Sequence, residues 1–210
     1  MRFDLTLYLV TDPQLCAARG LVESVAQAVA GGVTLVQLRD PHAKGRALVE
    51  QARALRAVLR PHGIPLIIND RVDVAVAADA DGVHLGQDDM TPADARAVLG
   101  ADRILGLSVG SVAELAASDL SAVDYVGVGP VRATHTKSDA GGAIGIAGMA
   151  ELRARISLPL VAIGGLDASL AGPLIRAGAD GIAVVSAICG AADVPAAARR
   201  LREEIAAARA

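Results

Sequence analysis

The chain has 210 residues, enough for one sizeable domain with a substantial core, and a single domain over residues 1–210 is expected. Its 20 basic and 23 acidic side chains leave a formal charge of −3, and the only aromatics are Phe3, Tyr8 and Tyr125. Without a basic patch or stacking rings, nucleic-acid binding is disfavoured, and polar residues interrupt every apolar run well before a membrane-spanning length.

Met1-Arg2-Phe3-Asp4 leads directly into a strand-like run with no signal-peptide cleavage pattern. Cys16 and Cys189 lie far apart in sequence and offer neither metal spacing nor a disulfide framework. A cytoplasmic location is expected, with each cysteine a small buried hydrophobe. The oligomeric state is open, a homo-oligomer included.

Leu5 to Val10 reads as a strand that stops at Thr11-Asp12-Pro13, and Leu21 to Ala30 as a helix ended by Gly31-Gly32. Val33 to Leu38 is the second strand and Lys44 to Leu59 a long helix closed by Pro61 and Gly63. Pro65 to Ile68 is the third strand, followed by Asn69-Asp70-Arg71 and a helix from Val72 to Ala78. Gly82 to Leu85 is the fourth, with Gly86-Gln87-Asp88-Asp89 as its loop. Thr91-Pro92 caps and opens a helix to Leu99. Ile104 to Leu107 is the fifth strand, ending at Ser108, and Ser111 with Glu114 forms a capping box for a helix to about Ala117. Asp124 to Val128 is the sixth strand, then Ala147 to Ile156 a helix. Leu160 to Ile163 is the seventh, ending at Gly164-Gly165, with a helix from Leu170 to Ala177. Gly181 to Val185 is the eighth, ending at Ser186, and Val194 to Ala208 is the last helix.

Continuous rather than alternating apolar strands imply burial on both faces, as in a parallel sheet. Eight strand–helix units predict an α/β fold, a single (β/α)8 TIM barrel, with an open doubly wound sheet as the other option. Ala80-Asp81-Gly82 and Ala179-Asp180-Gly181 each precede a strand, which weakly favours a repeated half-barrel unit.

In such a barrel the strand ends open onto one face, where the active site lies. That face collects Gln37 and Arg39, Asn69 and Asp70, Gln87 to Asp89, Ser108, Gly164-Gly165 and Val185-Ser186. From the sixth strand come Gly129-Pro130 and then Thr134, His135, Thr136 and Lys137, followed by Gly141, Gly142 and Gly145. This stretch reads either as an anion-binding loop or as a strand-to-helix turn with solvated side chains. Arg39, Asn69 and Lys137 are donors suited to a diphosphate. Asp70 and Asp89 taken singly read as helix caps; taken together beside those donors they read as ligands of a hard cation such as Mg²⁺. Gly164-Gly165 and Val185-Ser186 occupy the usual phosphate position of the barrel, although a Gly pair also serves as a plain tight turn. His84 is expected to be a hydrogen-bonded structural residue, and His42, His62 and His135 to be exposed. No Ser/His/Asp or Cys/His set converges, which disfavours covalent acyl transfer.

These residues together resemble the thiamine-phosphate synthase family. The resemblance runs through Tyr8-Leu9-Val10-Thr11-Asp12, Val36-Gln37-Leu38-Arg39-Asp40, Ile67-Ile68-Asn69-Asp70-Arg71 and Asp81-Gly82-Val83-His84-Leu85-Gly86-Gln87-Asp88-Asp89. It continues through Gly106-Leu107-Ser108, Val126-Gly127-Val128-Gly129-Pro130 with Thr134 to Lys137, Ala162-Ile163-Gly164-Gly165 and Val184-Val185-Ser186-Ala187-Ile188. It implies a transferase that joins 4-amino-5-hydroxymethyl-2-methylpyrimidine diphosphate to a thiazole phosphate and releases diphosphate. By that resemblance Gln37, Leu38, Arg39, Asp40, Pro41, Asn69, Ser108 and Lys137 contact the pyrimidine diphosphate, and Asp70 and Asp89 ligate Mg²⁺. Thr134, His135 and Thr136 line the thiazole phosphate site, whose phosphate meets Gly165, Val185 and Ser186. Arg39, Asn69, Lys137 and Ser108 are the expected catalytic set.

Two positions depart from the family pattern. Pro41 stands where a Lys is usual, unless Lys44 reaches back. Gly110 stands where a His is frequent; the related thiazole tautomerase uses a His there as its acid/base. The competing readings are a tautomerase-like isomerase on the same barrel and a non-catalytic phosphometabolite-binding barrel.

Overall fold

The computed structural model describes residues 3–133 and 142–210. Eight parallel strands close into a barrel in sequence order: β1 Leu7–Val10, β2 Leu35–Leu38, β3 Leu66–Asn69, β4 Gly82–Leu85, β5 Ile104–Val109, β6 Tyr125–Val128, β7 Leu160–Ile163 and β8 Gly181–Val184. Around it lie α1 Pro13–Cys16, α2 Leu21–Ala30, α3 Gly45–Leu59, α4 Val72–Ala78, α5 Pro92–Leu99, α6 Val112–Ala117, α7 Gly145–Arg153, α8 Ala168–Arg176, α9 Ser186–Cys189 and α10 Val194–Arg209. The (β/α)8 expectation therefore holds.

The strands are apolar on both faces because each face meets a different core. One set of alternate residues, including Leu9, Val36, Ile68, Val83 and Leu105, packs outward against the helices. The other set, Tyr8, Val10, Leu35, Ile67, Ile104, Tyr125, Val161 and Ala183, fills the barrel interior with Leu5. This alternation is the period of two that every strand obeys.

The recurring Asp before a strand has a physical explanation. Asp81 accepts from Leu66 N, Asp124 from Leu105 N and Asp180 from Leu160 N, each at 2.8 Å. Thr34 does the same for Leu7 N at 3.0 Å. Each side chain ties the start of an even-numbered strand to the odd-numbered strand before it, and the four ties repeat around the barrel. The Ala-Asp-Gly pattern therefore shows half of a four-part device, since Asp124 and Thr34 lack the flanking residues. Asp124 also holds the Arg96 guanidinium at 2.7 Å. Asp124→Ala strands the Leu105 N–H and the Arg96 charge, and thermal unfolding should show a loss of about 2 kcal/mol.

Some details differ from expectation. The short helices α1 and α9 were not anticipated. The Ser111 hydroxyl accepts from Glu114 N, as in a capping box, but the Glu114 carboxylate accepts from Gly110 N at 2.7 Å rather than from Ser111. Lys44 is exposed and lies just before α3 rather than in it. The cysteines, far apart in sequence, meet where α1 touches α9, and both are buried. The neighbouring Cys189 thiol holds the Cys16 thiol below its usual value, and the same neighbour together with burial pushes that of Cys189 up.

Candidate active site

A cavity of about 590 Å³ opens at the C-terminal ends of the strands. Gln37, Arg39, Asn69, Ser108, Gly165, Val185 and Ser186 all line it, with His84, Gly127 and Pro130. Residues on β2, β3, β5 and β8 thus become neighbours by barrel closure alone. Thr11, at the end of β1, holds the Arg39 backbone: its hydroxyl accepts from Arg39 N at 3.0 Å. Gln87 braces the fourth loop by donating to Ser108 O at 2.7 Å.

Not every expected residue reaches the cavity. The Leu38 side chain belongs to the outer core at 1% exposure, because Gln37 and Arg39 on either side face inward. Only the Leu38 backbone could serve a ligand. The Asp40 carboxylate accepts from His42 N at 3.2 Å and Ala43 N at 3.1 Å and shapes the turn, while Pro41 is exposed on it. Thr134, His135, Thr136 and Lys137 lie outside the described residues. On either side of that stretch, Ile144 N donates to Pro130 O and Gly145 N to Val131 O, each at 2.9 Å, and Gly142 and Ile144 line the cavity.

On the far side, Gly164 and Gly165 both take positive φ, 99° and 64°. A Cβ on Gly165 would lie 2.8 Å from Arg132 O and 2.9 Å from Ala133 O. The pair is therefore required by the approach of the sixth loop, beyond the needs of a tight turn. The four-residue α9 begins at Ser186, just after β8, the position where barrels of this kind place a short extra helix for phosphate.

Asp70 and Asp89 stand exposed at the rim. Asp70 adopts φ 60°, and its carboxylate accepts from Asn69 Nδ2 at 2.6 Å. The Asp89 carboxylate accepts from Gly86 N at 2.7 Å. Neither caps a helix. Magnesium is held by one or two carboxylates, with water and substrate phosphate filling the remaining positions. The two aspartates fit that role; among the described residues no group of three or more His, Cys, Asp or Glu forms an all-protein metal site.

The interior holds a polar set that strand-end reasoning missed. Gln37 Nε2 donates to Tyr8 Oη at 2.7 Å, and Tyr8 Oη lies 2.9 Å from Tyr125 Oη. Tyr125 Oη lies 2.9 Å from His84 Nδ1, and His84 Nε2 lies 2.9 Å from Ser108 Oγ. His84 is thus hydrogen-bonded and buried, as expected, yet it also lines the cavity. Burial raises both tyrosine pKa values, so both phenols keep their protons. The available signal was the placement of two of three aromatics in otherwise aliphatic strands.

The fold and the mouth define a class: a (β/α)8 barrel whose single mouth sets polar donors at the ends of β2 and β3 across from a glycine turn and a short helix after β7 and β8. The chain belongs to the thiamine monophosphate synthase family, whose model matches residues 7–188. It is 73% identical over 207 residues to a thiamine-phosphate synthase of Xanthobacter autotrophicus, covering 99% of this chain and 98% of that one. It is 69% identical over 200 residues to that of Azorhizobium caulinodans, covering 95% and 94%. A thiamine phosphate pyrophosphorylase structure from Pyrococcus furiosus superposes with a TM-score of 0.89 at 37% identity, covering 100% and 99%. A 3-hexulose-6-phosphate synthase structure, TM-score 0.68 at 18% identity over 95% of this chain and 99% of that one, shares the fold alone.

Proposed function

We propose that this chain is a thiamine-phosphate synthase, joining 4-amino-5-hydroxymethyl-2-methylpyrimidine diphosphate to a thiazole phosphate with release of diphosphate. One observation carries the reading: a single cavity is lined at once by Arg39 and Asn69 on one side and by Gly165 and Ser186 on the other. Two anionic substrates can then lie head to head, with their reacting atoms between the anchors.

In this reading Arg39 and Asn69, with Lys137 from the sixth loop, neutralise the charge that develops on the departing diphosphate. Gln37 and Ser108 contact the pyrimidine. The backbone around Leu38, Asp40 and Pro41 walls its diphosphate. Thr134, His135 and Thr136 are assigned to the thiazole phosphate site, whose phosphate meets Gly165, Val185 and the Ser186 hydroxyl. Asp70 and Asp89 would hold Mg²⁺, which supplies Lewis-acid stabilisation of the leaving group. The aminopyrimidine supports a cationic methylene, so the C–O bond to diphosphate can break before the thiazole nitrogen attacks. Little proton transfer is required by this route.

The isomerase reading has less support. A Cβ at Gly110 would lie 2.9 Å from Gly129 O, so the larger side chain the tautomerase uses there would have to displace backbone. No helix among the described residues is long and apolar enough to cross a membrane; a cytoplasmic enzyme is the proposal.

Expression in a bacterial strain lacking its own thiamine-phosphate synthase should restore growth without thiamine, and failure of an expressed, folded chain to do so would count against the reading. Ser186→Ala should raise KM for the thiazole phosphate about tenfold with kcat nearly unchanged, because it removes one hydrogen bond to a charged group. Steady-state kinetics with the other substrate saturating would show it.

A further inference from the structure

We propose that the hydrogen bonds joining Gln37, Tyr8, Tyr125, His84 and Ser108 run in one direction across the barrel, so that Tyr8, Tyr125 and His84 are positioning residues that leave the Ser108 hydroxyl proton pointing into the cavity. The argument is a count of protons. Gln37 Nε2 faces Tyr8 Oη at 2.7 Å and donates to it. Tyr8 has one proton, and the other partner of its hydroxyl among the described residues is Tyr125 Oη at 2.9 Å. Tyr125 already receives that proton, so its own goes to His84 Nδ1 at 2.9 Å. An imidazole that accepts at Nδ1 carries its hydrogen on Nε2. That hydrogen goes to Ser108 Oγ, 2.9 Å away, and the serine's proton remains for a ligand acceptor.

The chain is shielded from water, which would otherwise scramble its direction. Tyr8 is 1% exposed, Tyr125 0%, Gln37 4% and His84 8%. Phenols in such surroundings stay protonated, so each link holds one hydrogen and the order set at Gln37 propagates to Ser108. The strands are also shaped around it. A Cβ on Gly106 would lie 2.2 Å from Tyr125 Cζ and 2.4 Å from His84 Nδ1, and one on Gly127 would lie 3.0 Å from His84 Cε1. These two glycines clear the space in which the tyrosine and histidine meet.

The direction matters because Ser108 Oγ–H can then donate to a lone pair, such as a heteroaromatic ring nitrogen, whereas the reverse sense would spend that proton on His84. The kinetic part of the proposal rests on the synthase reading; the tautomer does not, which makes the two separable. In ligand-free protein labelled with ¹⁵N-histidine, the His84 signal, assigned by its loss in His84→Asn, should show a protonated Nε2 and an unprotonated Nδ1. A wild-type ring protonated at Nδ1 would overturn the proposal whether or not the enzyme turns over. Tyr125→Phe should abolish the tautomer preference and lower kcat/KM about tenfold, the value of one buried hydrogen bond. In a Ser108→Ala background the same change should cost less than about twofold, because its effect travels through the serine. Fully additive losses would show that Tyr125 acts only by packing, and would also overturn it.

Discussion

Asp70→Asn should lower turnover by about 10²–10³-fold while leaving the melting temperature unchanged. The substitution is chosen for the backbone as much as for the charge. Asp70 sits at φ 60°, a left-handed conformation that Asn tolerates nearly as well as Asp, whereas Ala would add strain of its own. The side chain is exposed at the rim, and Asn keeps its size and an oxygen that can accept from Asn69 Nδ2, so the fold should survive the substitution. What Asn removes is the negative charge. If that charge holds a divalent cation against the substrate diphosphate, the loss falls mainly on the step in which diphosphate departs, and raising Mg²⁺ should recover part of it. Steady-state rates over a Mg²⁺ titration provide the check. A variant with the wild-type rate at every Mg²⁺ concentration would reduce Asp70 to a turn-forming residue.

Gly106→Ala should cost about 3 kcal/mol of stability and also impair the site. The added methyl lands 2.2 Å from Tyr125 Cζ and 2.4 Å from His84 Nδ1, distances no pair of non-bonded heavy atoms sustains. Neither ring is a flexible chain end. Tyr125 is fully buried, packs edge-on against Tyr8 at a 6.1 Å centroid separation, and shares its hydroxyl with Tyr8 and His84. Relief therefore requires moving β5, a ring, or both, and any of these separates His84 from Ser108. Denaturant unfolding measures the first effect, and KM for the pyrimidine diphosphate in the surviving folded protein measures the second. By contrast, Gly142 has nothing within 4 Å of a built Cβ, and the same change there meets no such clash.

The barrel was legible because eight apolar runs, each stopped by Gly, Pro, Asp or Ser, leave few alternatives. Strand limits were less legible because pairing sets them: Leu5 and Thr6 are buried, yet the β1 ladder begins only at Leu7. The four-residue α9 was invisible to periodicity, since a single turn shows no repeat. At the site, the strand ends that supply Gln37, Arg39, Asn69, Ser108, Gly165 and Ser186 were readable from where each apolar run stops. Leu38 was included because it lies between two of them, although the period of two turns its side chain to the helices. The Tyr8–Tyr125–His84 set was hidden for a different reason. Its members stand singly on β1, β6 and β4, each looks like an ordinary core residue, and only closure of the sheet brings them together. The meeting of Cys16 with Cys189 has the same origin, because β1 and β8 are neighbours only in a closed barrel.

The central claim is that one cavity holds two phosphorylated substrates and exchanges diphosphate for a carbon–nitrogen bond. Its most direct test is the stoichiometry of the purified protein with Mg²⁺ and both substrates, following diphosphate and thiamine phosphate together. The two products should appear in equal amounts, and omitting the thiazole phosphate should abolish thiamine phosphate formation. Folded protein that releases no diphosphate with both substrates present, or that isomerises the thiazole phosphate alone, would contradict the account.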